Sequence, residues 1–225
     1  EDRIEPHGDG LVFPAWLGGD WDVTYSSQEP QFPLGFQFLD TTVPGVAMAS
    51  ILRLPNVGYE TTVRWRLLPA SDSRAGAEFD WATTLPSILR GFWPKATVPE
   101  IAERSSPEGW QLAYEALTSK GTRTAREVTC TWLAGRVVQQ SVESASGTFD
   151  EVVSAEWLRQ LEPGLGPSYG EQKYRIITRL RRIGENVAEG RLRVAAFLKT
   201  SDKKYFEAAD RAVAVFDYAL LLRRV

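Results

Sequence analysis

Cysteine and histidine, the side chains that build most disulfides and zinc sites, are almost missing from this sequence. Cys130 is the only cysteine and His7 the only histidine among the 225 residues. A disulfide needs a second cysteine, and a zinc site of the usual kind needs several Cys or His ligands. One chain can therefore form neither an intrachain disulfide nor a Cys/His zinc site, and we expect no metal.

A basic surplus and a long apolar run are missing as well. Lysine and arginine together number 26 against 29 aspartate and glutamate residues, which leaves a net charge of −3. A protein that binds nucleic acid normally carries a basic surplus, and a membrane-spanning helix needs ~20 mostly apolar residues in succession. We therefore expect neither nucleic-acid binding nor a transmembrane segment.

Groups that could perform catalysis are sparse. His7 lies in a polar stretch without the serine or aspartate pattern that would mark a nucleophile and its base. Cys130 alternates with apolar neighbours, which indicates a buried thiol rather than a reactive one. Carboxylates such as Glu156 and Glu162 are close only in sequence, and we expect them to lie in solvent. These observations predict a protein that is not an enzyme.

Alternation of apolar and polar side chains is abundant, and this pattern is typical of β-strands. In the first such run, Trp21, Val23 and Tyr25 share one face while polar residues occupy the other. The pattern predicts strands at 20–27, 60–68, 78–83, 110–117, 124–133, 136–143, 148–154, 172–182, 187–199 and 211–224.

Helix and turn signals are few. Pro86 suits the first turn of a helix at 85–92, and Ser154 is placed to cap a second helix at 154–161. We also expect a short helix or turn within 45–53 and a tight hairpin turn at 133–135.

An antiparallel sheet of this size avoids exposed edges most simply by closing on itself. The sequence therefore predicts an all-β fold, an antiparallel up-and-down lipocalin-like β-barrel of about 8–10 strands with one or two short helices. Residues 1–12 are expected to form an arm, and residues 13–225 a single barrel domain. Trp21 is expected to bury its ring at one end of the barrel.

Barrels of about eight strands can hold a small ligand. The best candidates for side chains that line such a cavity are Trp21, Tyr25, Trp65 and Trp132. Alternation alone does not distinguish a lined cavity from a packed core. A carrier would take an apolar molecule such as a carotenoid, a tetrapyrrole or a lipid.

Two groups of side chains are candidates for a surface that binds a partner, because aromatic anchors on loops are enriched at interfaces. The aromatic and aliphatic candidates are Phe36, Phe38, Leu39, Phe92 and Trp93. The basic candidates, which suit an acidic protein or anionic headgroups, are Arg175, Arg179, Arg181 and Arg182. The alternatives are that Phe92 and Trp93 cap the barrel mouth, and that Glu185 and Glu189 balance the arginines on a solvated face.

Both ends of the chain carry recognisable patterns. The segment 13–23 reads F-P-x-W-L-x-G-x-W-x-V, in which Gly19-Asp20-Trp21 is the G-x-W tripeptide that opens the first strand of lipocalins. With Phe32-Pro33-Leu34-Gly35 and the aromatic-rich ending at 197–218, it resembles an uncharacterised family of cyanobacterial and chloroplast proteins that carry a domain of unknown function. Several members of that family are placed in the thylakoid lumen.

The resemblance implies a chloroplast thylakoid lumen location, peripheral to the membrane. It favours a non-enzymatic subunit or assembly factor that docks on a photosynthetic membrane complex, a photosystem or its antenna. The only methionine is Met48, so an initiator is missing, which fits either a removed leader or a trimmed end. The alternative function is a lipocalin-type carrier. No cofactor is expected beyond the pigment or lipid of that alternative.

Overall fold

The computed structural model describes residues 11–39, 59–70, 75–117, 121–144, 147–161 and 171–225. The predicted helix or turn at 45–53 and residues 1–10 of the predicted arm lie outside these ranges. The strands are β1 (Gly19–Ser27), β2 (Glu60–Pro69), β3 (Ala77–Phe79), β4 (Glu103–Ser106), β5 (Gly109–Leu117), β6 (Arg123–Ser144), β7 (Gly147–Leu161), β8 (Glu171–Arg182), β9 (Val187–Ala196) and β10 (Ala214–Arg224). The α-helices are α1 (Trp81–Phe92) and α2 (Tyr205–Ala208).

All ten strands belong to one antiparallel sheet in the order β3-β2-β1-β10-β9-β8-β7-β6-β5-β4. From β4 to β10 every strand pairs with the next one in the chain. The last strand then pairs with the first, with Tyr25 opposite Leu220 and Val23 opposite Leu222. The predicted all-β, up-and-down architecture is therefore confirmed.

The prediction that the sheet closes into a barrel is wrong, because the two edge strands β3 and β4 do not pair with each other. Helix α1 lies instead along the free edge of β2. The Arg64 and Arg66 backbone N–H groups donate to Ser87 Oγ and Thr84 Oγ1 at 2.7 and 3.2 Å, and Thr61 Oγ1 donates to the Gly91 carbonyl at 2.8 Å. Helical hydroxyls thus replace the strand that would otherwise satisfy this edge.

Two predicted local elements in the second half differ from the structure. β6 runs straight through the expected turn at 133–135, and its register with β7 shifts between Trp132 and Ala134. A β-bulge accommodates the one additional residue of β6 at this point, so the strand continues without a turn. The expected helix at 154–161 is the second half of β7, since pairing with both β6 and β8 outweighs the weak tendency of eight residues to form a helix.

Trp21 lies between the segment that precedes β1 and the end of β10. Its ring is only 1% exposed, and its Nε1 donates to the Leu17 carbonyl at 2.7 Å. The Arg224 guanidinium lies 4.5 Å above the ring centroid and donates to the carbonyls of Trp16 and Gly18. The expected burial of the Trp21 ring is confirmed, and β10 holds it in place.

Candidate functional site

The face of the sheet that carries the buried side chains, here called the inner face, borders a cavity of about 70 Å³. Its wall is formed by helix α1 and by seven strands, which are β1, β2, β3, β6, β7, β8 and β9. Most of the lining is apolar. The polar or titratable side chains that line it are Tyr25, Cys130, Ser154, Glu156 and Thr178, beside the indoles of Trp65, Trp81 and Trp132.

A continuous chain of ring contacts forms one wall of the cavity. Trp65 on β2 contacts Phe79 at 5.2 Å between centroids, and Phe79 stacks on Trp81 of α1 at 4.6 Å. Trp81 in turn contacts Trp132 on β6 at 4.2 Å. Such ring pairs stabilise a fold beyond their area burial. The aromatic wall therefore links the edge of the sheet at β2 and β3 to strand β6 through the helix.

Glu156 is the buried acid of this cavity, with 6% of its surface exposed. It points inward because Val152, Ser154 and Leu158 share its face of β7. Its Oε2 accepts a hydrogen bond from Trp132 Nε1 at 3.0 Å, and its Oε1 accepts one from Ser154 Oγ at 3.2 Å. Burial raises the pKa of this carboxyl to about 7, although both hydrogen bonds lower it. The expectation that Glu156 lies in solvent is wrong.

The other two titratable groups on the cavity wall are neutral. Tyr25 accepts a hydrogen bond from Trp65 Nε1 at 3.0 Å, and burial raises the pKa of its hydroxyl far above the usual value. Burial likewise raises the pKa of the Cys130 thiol. Cys130 is therefore the buried thiol that its alternation predicts, and Glu156 is the only lining group whose charge changes near neutral pH.

Three of the four residues predicted to line a cavity do so. Tyr25, Trp65 and Trp132 lie on its wall, whereas Trp21 is buried at the end of the sheet beneath Arg224. Sequence reasoning considered Glu156 with Glu162 as a carboxylate pair and placed it in solvent, within a helix expected at 154–161. If that segment is read as a strand, Glu156 shares a face with Val152, Leu158 and other buried residues. This alternation is the sequence signal that could have identified Glu156 as a buried carboxylate.

The predicted aromatic docking residues divide into buried and exposed groups. Phe92 is buried against Tyr25 and Tyr218, and Trp93 is half-buried against Tyr114. These contacts fit the alternative in which Phe92 and Trp93 close the interior.

In the 28–39 segment, Gln31 pairs with Val215 beside β10. Phe38 is buried there, with Lys204 Nζ at 5.1 Å from its ring, and Leu39 is half-buried. Phe36 is 73% exposed. Of the predicted aromatic and aliphatic docking residues, Phe36 is thus the one available to a partner.

A second exposed aromatic residue lies two positions after Lys204, the residue that contacts Phe38 of this segment. Phe206 on α2 is 86% exposed, and its neighbour Lys204 covers Phe38. Phe36 and Phe206, here together called the aromatic patch, lie on two segments that the Lys204–Phe38 contact joins, and each ring contacts an aromatic neighbour on its own segment, Phe32 and Tyr205 respectively. Phe206 was missed because one phenylalanine in an aromatic-rich ending gives no sequence signal for exposure.

The predicted basic residues lie along β8, three of them on the outer face. Arg179 pairs with Glu151 at 2.7 Å, and Arg181 pairs with Glu189. The Arg175 guanidinium lies 5.0 Å from the Trp157 ring centroid. Arg182 donates to the Gly184 carbonyl at the end of the strand. The pairing with Glu189 fits the alternative of a charge-balanced face.

Neither helix in the described part of the chain has the length and apolar character needed to cross a bilayer. The same residues include no group of three or more His, Cys, Asp or Glu side chains that could hold a metal ion. The chain matches no family model, no curated protein and no solved structure.

Proposed function

We propose that the protein is a non-enzymatic lumenal subunit or assembly factor that docks peripherally on a photosynthetic membrane complex. The observation that carries this proposal is the aromatic patch, in which Phe36 is 73% and Phe206 86% exposed. Phenylalanine is among the residues enriched at interfaces. The lumenal location rests on the resemblance of the two ends of the chain.

Two cationic side chains belong to the segment that carries Phe206. Lys204 precedes α2 and lies over the Phe38 ring, and Arg211, three residues after α2, donates to the carbonyls of Glu207 and Ala208. Apolar anchors supply most of the binding free energy, while a charged rim affects the rate of encounter and the choice of partner.

Co-sedimentation with solubilised photosynthetic complexes tests this proposal. We expect the Phe36→Ala/Phe206→Ala variant to bind at least tenfold more weakly than wild type, which corresponds to about 1.4 kcal/mol. The matched control is Ile101→Ala/Leu117→Ala, which removes two exposed apolar side chains on the β4–β5 side of the sheet and should bind like wild type.

The arginines of β8 are tested separately with Arg179→Glu/Arg181→Glu. Because both side chains already pair with glutamates, we expect this variant to change the salt dependence of association more than its affinity. Equal binding by wild type and the double phenylalanine variant would overturn the assignment of the patch. A wild-type protein that associates with no membrane complex would overturn the proposal itself.

The carrier function is a second candidate, favoured by the aromatic lining of the cavity. A cavity of about 70 Å³ is well below the ~300 Å³ at which drug-sized ligand sites begin. A carotenoid, tetrapyrrole or lipid would therefore require the cavity to enlarge, and α1, which covers an edge without belonging to the sheet, is the element to move. Pigment and lipid extraction of protein isolated from its native membranes tests this. An extract without a stoichiometric guest would argue against it.

A further inference from the structure

We propose that the inner cavity is a binding site for a small primary ammonium ion, with Glu156 as its counter-ion and the hydroxyls of Ser154 and Thr178 as further acceptors. This inference does not rest on the docking function, because the cavity and the aromatic patch share no residue.

The first step concerns charge. A carboxylate that is buried without a positively charged partner is costly, so such a group either takes up a proton or needs a cation to remain ionised. The partners of Glu156 among the described residues are the neutral donors Trp132 and Ser154, and no lysine or arginine there forms an ion pair with it. The other titratable groups of the cavity wall, Tyr25 and Cys130, are neutral. A cationic ligand would supply the missing charge.

The second step concerns hydrogen-bond geometry. An ammonium group has three N–H donors and no acceptor. Ser154 on β7 lies directly opposite Thr178 on β8, and cross-strand neighbours on one face have Cβ atoms ~4.5–5.5 Å apart. Glu156 is the next residue along the same face of β7. These three buried side chains, all lining the cavity, place three oxygen acceptors on two adjacent strands.

The third step concerns size and polarity. A cavity needs ~10–15 Å³ to hold one water molecule, so about 70 Å³ accommodates a group of roughly five non-hydrogen atoms. Apart from the polar groups named above, the wall is built from rings such as Trp65 and Phe79 and aliphatic side chains such as Leu85 and Ile88. A short alkyl chain ending in an ammonium group matches this division into a polar corner and an apolar wall.

The test uses n-propylammonium as the probe and n-propanol as its neutral analogue. In wild-type protein labelled with ¹⁵N, we expect n-propylammonium to shift the Trp132 indole N–H signal, since that group donates to Glu156. The indole signal of Trp157, which lies against Arg175 on the outer face, should not move. This readout requires no variant. An unmoved Trp132 signal at saturating amine, or an equal shift with n-propanol, would overturn the proposal.

Variants then identify the acceptors. Calorimetric titration should show at least tenfold weaker amine binding for Glu156→Gln and weaker binding for the near-isosteric Thr178→Val. The matched control is Glu151→Gln, because Glu151 lies on the same strand but pairs with Arg179 on the outer face. Amine affinity that survives Glu156→Gln, or falls equally in Glu151→Gln, would contradict the site.

Discussion

Among single residues, Glu156 shows most clearly how position alters chemistry. The neighbouring strands bury its carboxyl and leave it only neutral hydrogen-bond donors, so its pKa rises from 4.5 to about 7. Glu151, five positions earlier on β7, is buried on the other side of the sheet. Burial raises the pKa of its carboxyl, but hydrogen bonds from Arg179 and Gln140 and the positive charges of Arg179 and Arg181 outweigh this and hold that pKa below the usual value. One strand thus carries two glutamates with opposite shifts.

These shifts predict how stability depends on pH. A carboxyl whose pKa is higher in the folded than in the unfolded state binds its proton more tightly when folded. The stability that Glu156 contributes in this way is fully present below pH ~4.5 and is lost as the pH rises through about 7. A shift of this size corresponds to roughly 3 kcal/mol. We therefore expect Glu156→Gln to become more stable relative to wild type between pH 4.5 and 8, by up to that amount.

The measurement is urea unfolding of both proteins at a series of pH values. Asp20 and Glu151 have lowered pKa values, so they contribute stability that is lost on acidification. Both are present in wild type and variant and cancel in the difference. A difference in unfolding free energy that stays flat from pH 4.5 to 8 would show that Glu156 is not buried as described.

At the scale of elements, α1 is the unusual component of the sheet. It supplies hydroxyl acceptors to two backbone N–H groups on the edge of β2, and its Trp81 ring contacts Trp132 on β6. The helix at 85–92 was predicted from its spacing, and the structure extends it to Trp81–Phe92. Its position against β2 depends on side-chain hydroxyls whose partners are far away in sequence.

Removal of one such hydroxyl tests the role of the helix. Ser87→Ala would leave the Arg64 N–H without its acceptor, and an unsatisfied donor costs about 1–3 kcal/mol. We expect the unfolding free energy to fall by that amount and hydrogen exchange at the Arg64 amide to become faster. Thr83→Ala is the control, since the Thr83 hydroxyl contacts only Asp80. Unchanged exchange at Arg64 would show that the helix does not protect this edge.

At the scale of the whole molecule, one sheet contains every described strand, and one cluster of buried apolar residues extends from Phe13 to Leu222. Pairing of β1 with β10 brings together residues almost two hundred positions apart. Contacts of this separation form slowly during folding, because a long loop must close before they contribute.

The single-domain prediction for residues 13–225 can be tested by equilibrium unfolding. If the sheet unfolds as one unit, tryptophan fluorescence and far-ultraviolet circular dichroism should report coincident urea transitions. The indoles are well distributed for this purpose, with Trp21 on β1, Trp110 on β5 and Trp157 on β7. Transitions separated in urea concentration would indicate two independently folding parts and contradict the prediction.

Local pattern determined much of this protein by itself. Alternation predicted most strands, as in Trp21, Val23 and Tyr25, because side chains on a strand point to opposite faces with a period of two. The same pattern predicted the buried thiol of Cys130 and placed three aromatic residues on the face that lines the cavity.

Only the tertiary structure decided the elements whose outcome depends on distant partners. Residues 133–135 continue β6 with a bulge at Leu133 rather than form a turn, because β7 provides their backbone partners. Residues 154–161 form a strand rather than a helix, because β6 and β8 pair with them from both sides. The sheet is open because β3 and β4 do not pair with each other, and α1 lies along the part of β2 that β3 leaves free. The burial of Glu156 and the exposure of Phe36 also depend on distant partners. The solvent exposure of a side chain is set by neighbours that lie far away along the chain, and local periodicity contains no information about them.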